Sequence, residues 1–227
     1  MFPALDVERR SNFLRTISGE GANPVEPALP ILKSILDVSS GVPMLNSVWE
    51  TFRRSKEKRR DFFRDRIASE MRKVFGKDRK RINHANRVVR FAEEIFHGEG
   101  GDPTVVIAAS YLHDIGIREA ERKYNSTAGN YQELEGPPIA RNILEKIGAD
   151  REMIDEVCDL IAHHHSPGHI QTLNFQILWE ADSLVNLEEA TGKEQEKINE
   201  VVEVNFKTST GRDLAKALLL DKVNNHA

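Results

Sequence analysis

An all-α fold is what this chain predicts, on three observations. Apolar residues recur at helical spacing over most of the 227 residues. No alternating β-branched run closed by Asn-Gly or Asp-Gly is found. Glycine and proline cut the chain into pieces of helix length. The expected helices span 5–18, 26–38, 44–75 with a break near Lys56, 80–97, 103–114, 117–124, 137–147, 150–164, 174–189, 194–206 and 211–221. The proline-bearing stretch from Gly19 to Pro30 reads as a loop or arm. Phe63, Ile67, Met71, Val74 and Phe75 give helix 44–75 one apolar face. Gly98, Gly100 and Gly101 close helix 80–97, and Asp102-Pro103 supplies the next helix with a cap and a first-turn proline. Pro137 and Pro138 suit a helix start, Gly148 an end, and Asp150 caps the successor. Pro167-Gly168 marks a turn, and Asn125 to Tyr131 is the most loop-like interior stretch, an expected lid beside a site.

Composition narrows the class. Hydrophobic residues at 39% and charged residues at 30% describe a globular chain that can bury a core without staples. No apolar run approaches the roughly 20 residues that cross a bilayer, so an integral membrane protein is not expected. Asp6, Glu8, Arg9 and Arg10 interrupt the N-terminus, which is unlike a secretory signal. A single cysteine, Cys158, fits a reducing compartment, so a cytoplasmic location is expected. The net charge of -4 conceals a basic stretch, with 14 Lys/Arg against 5 Asp/Glu between Arg53 and Arg81. Such a stretch can bind nucleic acid, but the apolar stripe within it predicts an amphipathic helix with a solvated basic face. Specific nucleic-acid binding is therefore not expected.

Histidine placement carries the chemical information. His226 is near the end of the chain, His97 sits at a helix end, and His169 follows a turn. The others fall on apolar stripes. His84 shares one with Val88, Phe91 and Ile95, and Val105, Ala109 and Leu112 lead to His113-Asp114. Met153, Val157, Leu160 and His164 align, with Ile154, Cys158, Ile161 and His165 beside them, and Asp182 joins Phe175, Leu178 and Val185. Taken singly, a core histidine usually hydrogen-bonds to backbone, and an inward aspartate usually caps a helix or pairs with a base. Taken together, two carboxylates entering a low-dielectric interior need strong compensation. A divalent cation supplies it, and histidine with aspartate is an ordinary ligand set on facing helices.

The local text then resembles a known family. "HANRVVRFAEEI" from His84, "AASYLHDIG" around His113-Asp114, "LIAHHH" ending at His165 and "LWEADSLVNL" around Asp182 are similar, in this order, to the motifs of the HD-domain superfamily of metal-dependent phosphohydrolases. The resemblance runs from about Lys80 to Ala190. It implies an HD-domain-like helical bundle with a metal-binding core at 79–190; an N-terminal helical extension at 1–78, which the resemblance does not cover, is expected before it, and C-terminal helices with a short tail at 191–227 are expected to complete the domain. By the same resemblance His84, His113, Asp114 and Asp182 ligate a divalent metal, whether Mn, Mg, Fe, Co, Ni or Zn. That ion would activate a water against a phosphomonoester or phosphodiester of a small, nucleotide-like substrate. Arg87, Arg118 and Lys123 are the candidates for binding phosphate.

Members with two metals carry a further histidine on the segment that here reads "NYQELEGPPIARNIL", where Gln132, Glu133 and Glu135 stand instead. His164, His163 and Glu135 are the candidates for a second metal or for the substrate phosphate. The Gly-Tyr-Pro signature of the best-known cyclic-dinucleotide phosphodiesterases is missing. The alternatives within this reading are a regulatory HD module that binds metal or nucleotide without turnover, and an HD-type diiron oxygenase. Other chemistries lack their signatures. There is no Gly-x-Ser-x-Gly elbow, the Gly98–Gly101 cluster lacks a phosphate-loop context, and one cysteine makes no zinc finger.

Overall fold

The computed structural model describes residues 43–166, 168, 170–189, 202 and 204–224. The expected helices 5–18 and 26–38, the Gly19–Pro30 loop, His169, His226 and most of 194–206 lie outside the described residues. Eight helices are delimited among these residues, with no strand: α1 (Pro43–Phe75), α2 (Arg79–Glu99), α3 (Pro103–Leu112), α4 (Ile117–Tyr124), α5 (Gly129–Ile147), α6 (Arg151–Ala162), α7 (Leu173–Glu189) and α8 (Ser209–Asn224). None of them is long and apolar enough to cross a membrane. The chain divides into two compact units, residues 1–58 and 59–227. Of the first, helical backbone from Pro43 onward is described, with an Arg53–Glu50 ion pair at 2.7 Å. The backbone is helical at Lys56, where a break was expected.

The second unit is built around α3. Every residue from Val105 to Leu112 is buried, because α3 packs against α2, α6 and α7 together. A helix enclosed in this way must be apolar all round, which is why its sequence shows no polar face. Ile67, Ala68, Met71 and Phe75 of α1 enter the same core, as do Val88, Val89, Ala92 and Ile95 of α2. The caps fall where the sequence places them. Asp102 accepts from Thr104 and Val105 N–H at 2.8 and 3.2 Å, and Asp150 accepts from Met153 N–H at 2.9 Å.

Two expected boundaries are corrected. Helix α5 begins at Gly129, eight residues before Pro137, and carries both prolines inside it. Pro137 follows Gly136, which has no Cβ to clash with the proline ring, so the usual bias against helix before proline is relaxed. Only residues 125–128 remain as loop, and that loop is tied down. Gln132 Nε2 donates to Thr127 O at 2.7 Å, Ala128 N–H donates to Ser126 Oγ at 3.1 Å, and the Tyr124 and Tyr131 rings stack at 4.2 Å. The second correction is that α3 and α6 stop at Leu112 and Ala162, so His113-Asp114 and His164-His165 lie on turns rather than on helices. Gly116 and Gly136 draw α5 against the first of these turns. A Cβ on Gly116 would lie 2.5 Å from Gly136 N and 2.6 Å from Gln132 O, so only glycine permits the approach.

Much of the basic stretch is occupied within the fold. Arg66 donates to Ile147 O at 2.9 Å at the end of α5, Arg64 pairs with Glu93, and Arg81 pairs with Glu121 at 2.6 Å. Lys73 and Lys146 both bind Glu70 at 2.7 Å.

Candidate metal centre

Helices α2 and α7 and the turn after α3 bring His84, His113, Asp114 and Asp182 together. His84 Nε2 lies 3.0 Å from Asp182 Oδ1, 3.3 Å from His113 Nε2 and 3.8 Å from Asp114 Oδ2. His113 Nε2 lies 3.5 Å from Asp114 Oδ2 and 3.7 Å from Asp182 Oδ1. The turn aims His113 inward because its Nδ1 is 2.9 Å from Ser110 O. A carbonyl can only accept, so Nδ1 carries the proton and Nε2 presents a lone pair in the neutral ring. On Asp182, Asn186 Nδ2 donates to Oδ2 at 3.0 Å, while Oδ1 turns to the histidines.

The electrostatics describe a place that wants positive charge. Burial pulls the His113 imidazolium down, but the Asp114 and Asp182 carboxylates and the Ser110 carbonyl together outweigh it, and the net effect is a rise to about 9. Burial raises Asp114, yet the opposing charge and hydrogen bond of His113 hold it well below the usual carboxylate range. Asp182 is likewise raised by burial and lowered further by its hydrogen bond to His84. A proton on His113 is one way to compensate two carboxylates, and a divalent cation is another that also uses both imidazole lone pairs.

A second group of donors adjoins the first. His164 Nδ1 is 2.7 Å from Ile161 O, which fixes its proton there, and its buried Nε2 has no hydrogen-bond partner. That nitrogen lies 3.6 Å from Asp114 Oδ1, beyond hydrogen-bond reach. The donor atoms of Asp114, His164 and His165 all lie within 4.8 Å of one another, as do those of His84, His113 and Asp114. An orphaned buried nitrogen beside a carboxylate fits a cation better than it fits a purely structural histidine.

The remaining expected residues are placed elsewhere. His163 is tied to its own helix, with Nδ1 2.9 Å from Asp159 O. Glu135 receives Lys123 Nζ at 2.7 Å and Tyr124 OH at 2.8 Å, so this pair occupies both carboxylate oxygens. Arg118 donates to Val74 O at 2.6 Å. Arg87 binds Glu188 and reaches Glu189 Oε1 at 2.7 Å, and that oxygen is 4.0 Å from His84 Nδ1. Sequence reasoning noted His165 and Glu133 without making them site candidates, and it missed Asn186. Three consecutive histidines were the available signal for His165. Partial burial, and after it the His164 ring, pulls His165 below its ordinary value. Glu133 was marked only by its place on the segment of the expected histidine, and its oxygens accept from His165 N–H and Ser166 OH at 2.9 Å.

The HD domain family profile matches residues 81–187, a span that contains all four residues of the first cluster. Residues 81–187 are an HD domain. A solved structure described as a predicted HD superfamily hydrolase, from an uncultured Thermotogales bacterium, shares 28% identity with the chain at a TM-score of 0.52. The similarity covers 70% of this chain and 88% of that one. No curated protein matches. His84, His113, Asp114 and Asp182 all fall within the matched span and meet across three segments of the fold.

Proposed function

We propose that the chain hydrolyses a phosphate ester of a small, nucleotide-like substrate in a reaction that depends on a divalent metal. The observation that carries this reading is the convergence of His84, His113, Asp114 and Asp182, with two imidazole nitrogens 3.3 Å apart and two carboxylates turned toward them. Two carboxylates in that arrangement need a compensating positive charge, which a proton on His113 or a divalent cation supplies, and only the cation also uses both imidazole lone pairs. Such an ion, when bound, supplies an acidified water and a Lewis acid for a phosphoryl oxygen. The chain's own part is orientation. Ser110 O and Asn186 fix His113 and Asp182, and the close Gly116–Gly136 approach holds the turn that presents Asp114. Arg87 is the phosphate-binding candidate beside the cluster, through Glu189, and it would have to exchange that partner for substrate. A cytoplasmic location suits the free, buried Cys158.

A screen of phosphatase and phosphodiesterase substrates with added Mn²⁺, Mg²⁺, Co²⁺ or Ni²⁺ tests the reading. Phosphate-ester cleavage that requires one of these ions and stops on chelation is the expected result. Metal binding without turnover on any substrate would favour a regulatory module. Oxygen consumption by iron-loaded protein would favour an oxygenase.

A further inference from the structure

His113 and His164 each have their outer ring nitrogen fixed by a carbonyl at the end of a helix. His113 Nδ1 is 2.9 Å from Ser110 O on the last turn of α3, and His164 Nδ1 is 2.7 Å from Ile161 O on the last turn of α6. Such carbonyls are open to side chains because no helical N–H follows to take them. His84 is the exception. It sits inside α2, where the carbonyls are committed to the helix, and its Nδ1 has no hydrogen-bond partner among the described residues. Its Nε2 is the nitrogen that faces Asp182, His113 and Asp114. A histidine that ligates through Nε2 carries its proton on Nδ1. That N–H ordinarily donates to a carboxylate or a carbonyl, which fixes the tautomer and the ring plane.

The acceptor beside it is Glu189 Oε1, 4.0 Å from His84 Nδ1 and outside hydrogen-bond range. Arg87 holds that oxygen, its Nη1 donating to it at 2.7 Å. Helix geometry sets up the contest. Arg87 follows His84 by three residues on α2, and Glu189 follows Asp182 by seven on α7, so each lies on the face of its cluster residue. Glu188 can hold the arginine without help, since Arg87 Nε and Nη2 both donate to its Oε2. Glu189, with its side chain 41% exposed, is therefore free to turn to His84 while Arg87 stays paired.

We propose that Glu189 is the positioning residue for His84, accepting the Nδ1–H hydrogen bond when a divalent ion occupies the cluster, and that Arg87 competes with His84 for the same oxygen. The proposal deepens the metal-dependent reading above and rests on it. The two members of one ion pair then act on metal affinity in opposite directions, unlike a pair that only joins α2 to α7.

Calorimetric titration of the metal-stripped full chain with Co²⁺ tests this, with the His84 ring followed by ¹⁵N spectra of the Zn²⁺-loaded protein. Glu189→Ala should weaken Co²⁺ binding by about tenfold, as loss of a ligand's outer support does. Its His84 Nδ1–H should also exchange faster with water. Glu189→Gln keeps an acceptor oxygen without the charge and should recover most of that loss. Arg87→Gln should bind Co²⁺ at least as tightly as the parent. Equal losses in Glu189→Ala and Glu189→Gln would reduce the effect to bulk charge and overturn the proposal. An unchanged affinity in Glu189→Ala, or a weakened one in Arg87→Gln, would overturn it too. Each of these results, with Co²⁺ bound by the parent, sinks this inference alone. No Co²⁺ binding in the parent would sink the metal-dependent reading with it.

Discussion

Two carboxylates on α7 lie two residues apart and meet opposite surroundings. Glu180 is fully buried, and the fold answers it completely. Its Oε1 accepts from Lys207 N–H at 2.6 Å, Thr208 N–H at 2.9 Å and Gln176 Nε2 at 2.7 Å, and its Oε2 accepts from the Thr208 hydroxyl. Gly211 leaves room for that oxygen, so Glu180 ties the start of α8 to the core. Asp182 meets one amide donor, from Asn186, and otherwise faces histidines and a second carboxylate. Burial of a charge therefore does not mark a metal site. A surplus of lone pairs over donors is what a cation would answer, and the His84–Asp182 cluster has that surplus while the Glu180 pocket does not.

The largest stability effect belongs to the satisfied acid. Glu180→Ala strands two backbone N–H groups and a hydroxyl in the interior, and should cost about 3 kcal/mol in urea unfolding while leaving metal content untouched. A loss of metal in that variant would erase the distinction between the two regions.

Next in size is the effect of removing metal from the unsatisfied pair. A ligand that binds only the folded state adds about 2.7 kcal/mol at a hundredfold excess over its Kd. Chelation should lower Tm accordingly, and one added divalent metal should restore it. An unchanged Tm would mean that the cluster is content without an ion.

The size of that drop should depend on pH. In the metal-free protein the Asp114 and Asp182 carboxylates and the Ser110 carbonyl raise His113 from 6.5 to about 9, against the pull of burial. Its charged form stabilises the fold fully below its ordinary value, and the contribution fades as pH rises through about 9. Asp114, held well below 3.8, contributes above that value and loses its contribution as pH falls through the depressed one. Chelated protein should thus melt highest near pH 5–6 and progressively lower toward pH 9. Metal takes the place of the His113 proton, so the Tm gap between loaded and chelated protein should widen over that range. A gap independent of pH would show that His113 is not in the shell.

The smallest effect concerns the basic stretch. Arg64, Arg66, Lys73 and Arg81 are engaged within the fold, so Arg59→Glu with Arg60→Glu should shift neither Tm nor turnover appreciably. Binding to random duplex or single strands should be negligible at physiological salt. Submicromolar, salt-sensitive binding lost in the double variant would contradict this.

The centre was legible in sequence where a polar residue interrupts an apolar helical stripe. His84 and Asp182 sit in mid-helix with buried neighbours on their own face, and the phase of α2 and α7 aims them. His113 and Asp114 were legible through the apolar run of α3 that leads into them. Helical phase fails where the helix stops. His163, His164 and His165 lie at and past the end of α6, and a turn, not a 3.6-residue period, sends His164 inward and seats His165 on Gly129. The start of α5 was hidden by the turn-like composition of 125–131 and by Pro137-Pro138, which Gly136 makes tolerable inside a helix. Partner choice was not legible at all. Nothing local to Arg87 or Lys123 announces Glu188, Glu189 or Glu135, which long-range packing brings to them.

Metal content and turnover of Asp114→Ala, measured beside Glu180→Gln on the same preparation, bear most directly on the metal centre. Asp114 touches both donor groups, so its alanine variant should hold no stoichiometric metal and show no metal-dependent phosphate release. It should nevertheless fold, with a Tm that no longer responds to chelation or to added metal. Glu180→Gln should keep the parent's metal and its activity. Stoichiometric metal with normal turnover in Asp114→Ala would show that the cluster of His84, His113, Asp114 and Asp182 is not the centre of this protein's chemistry.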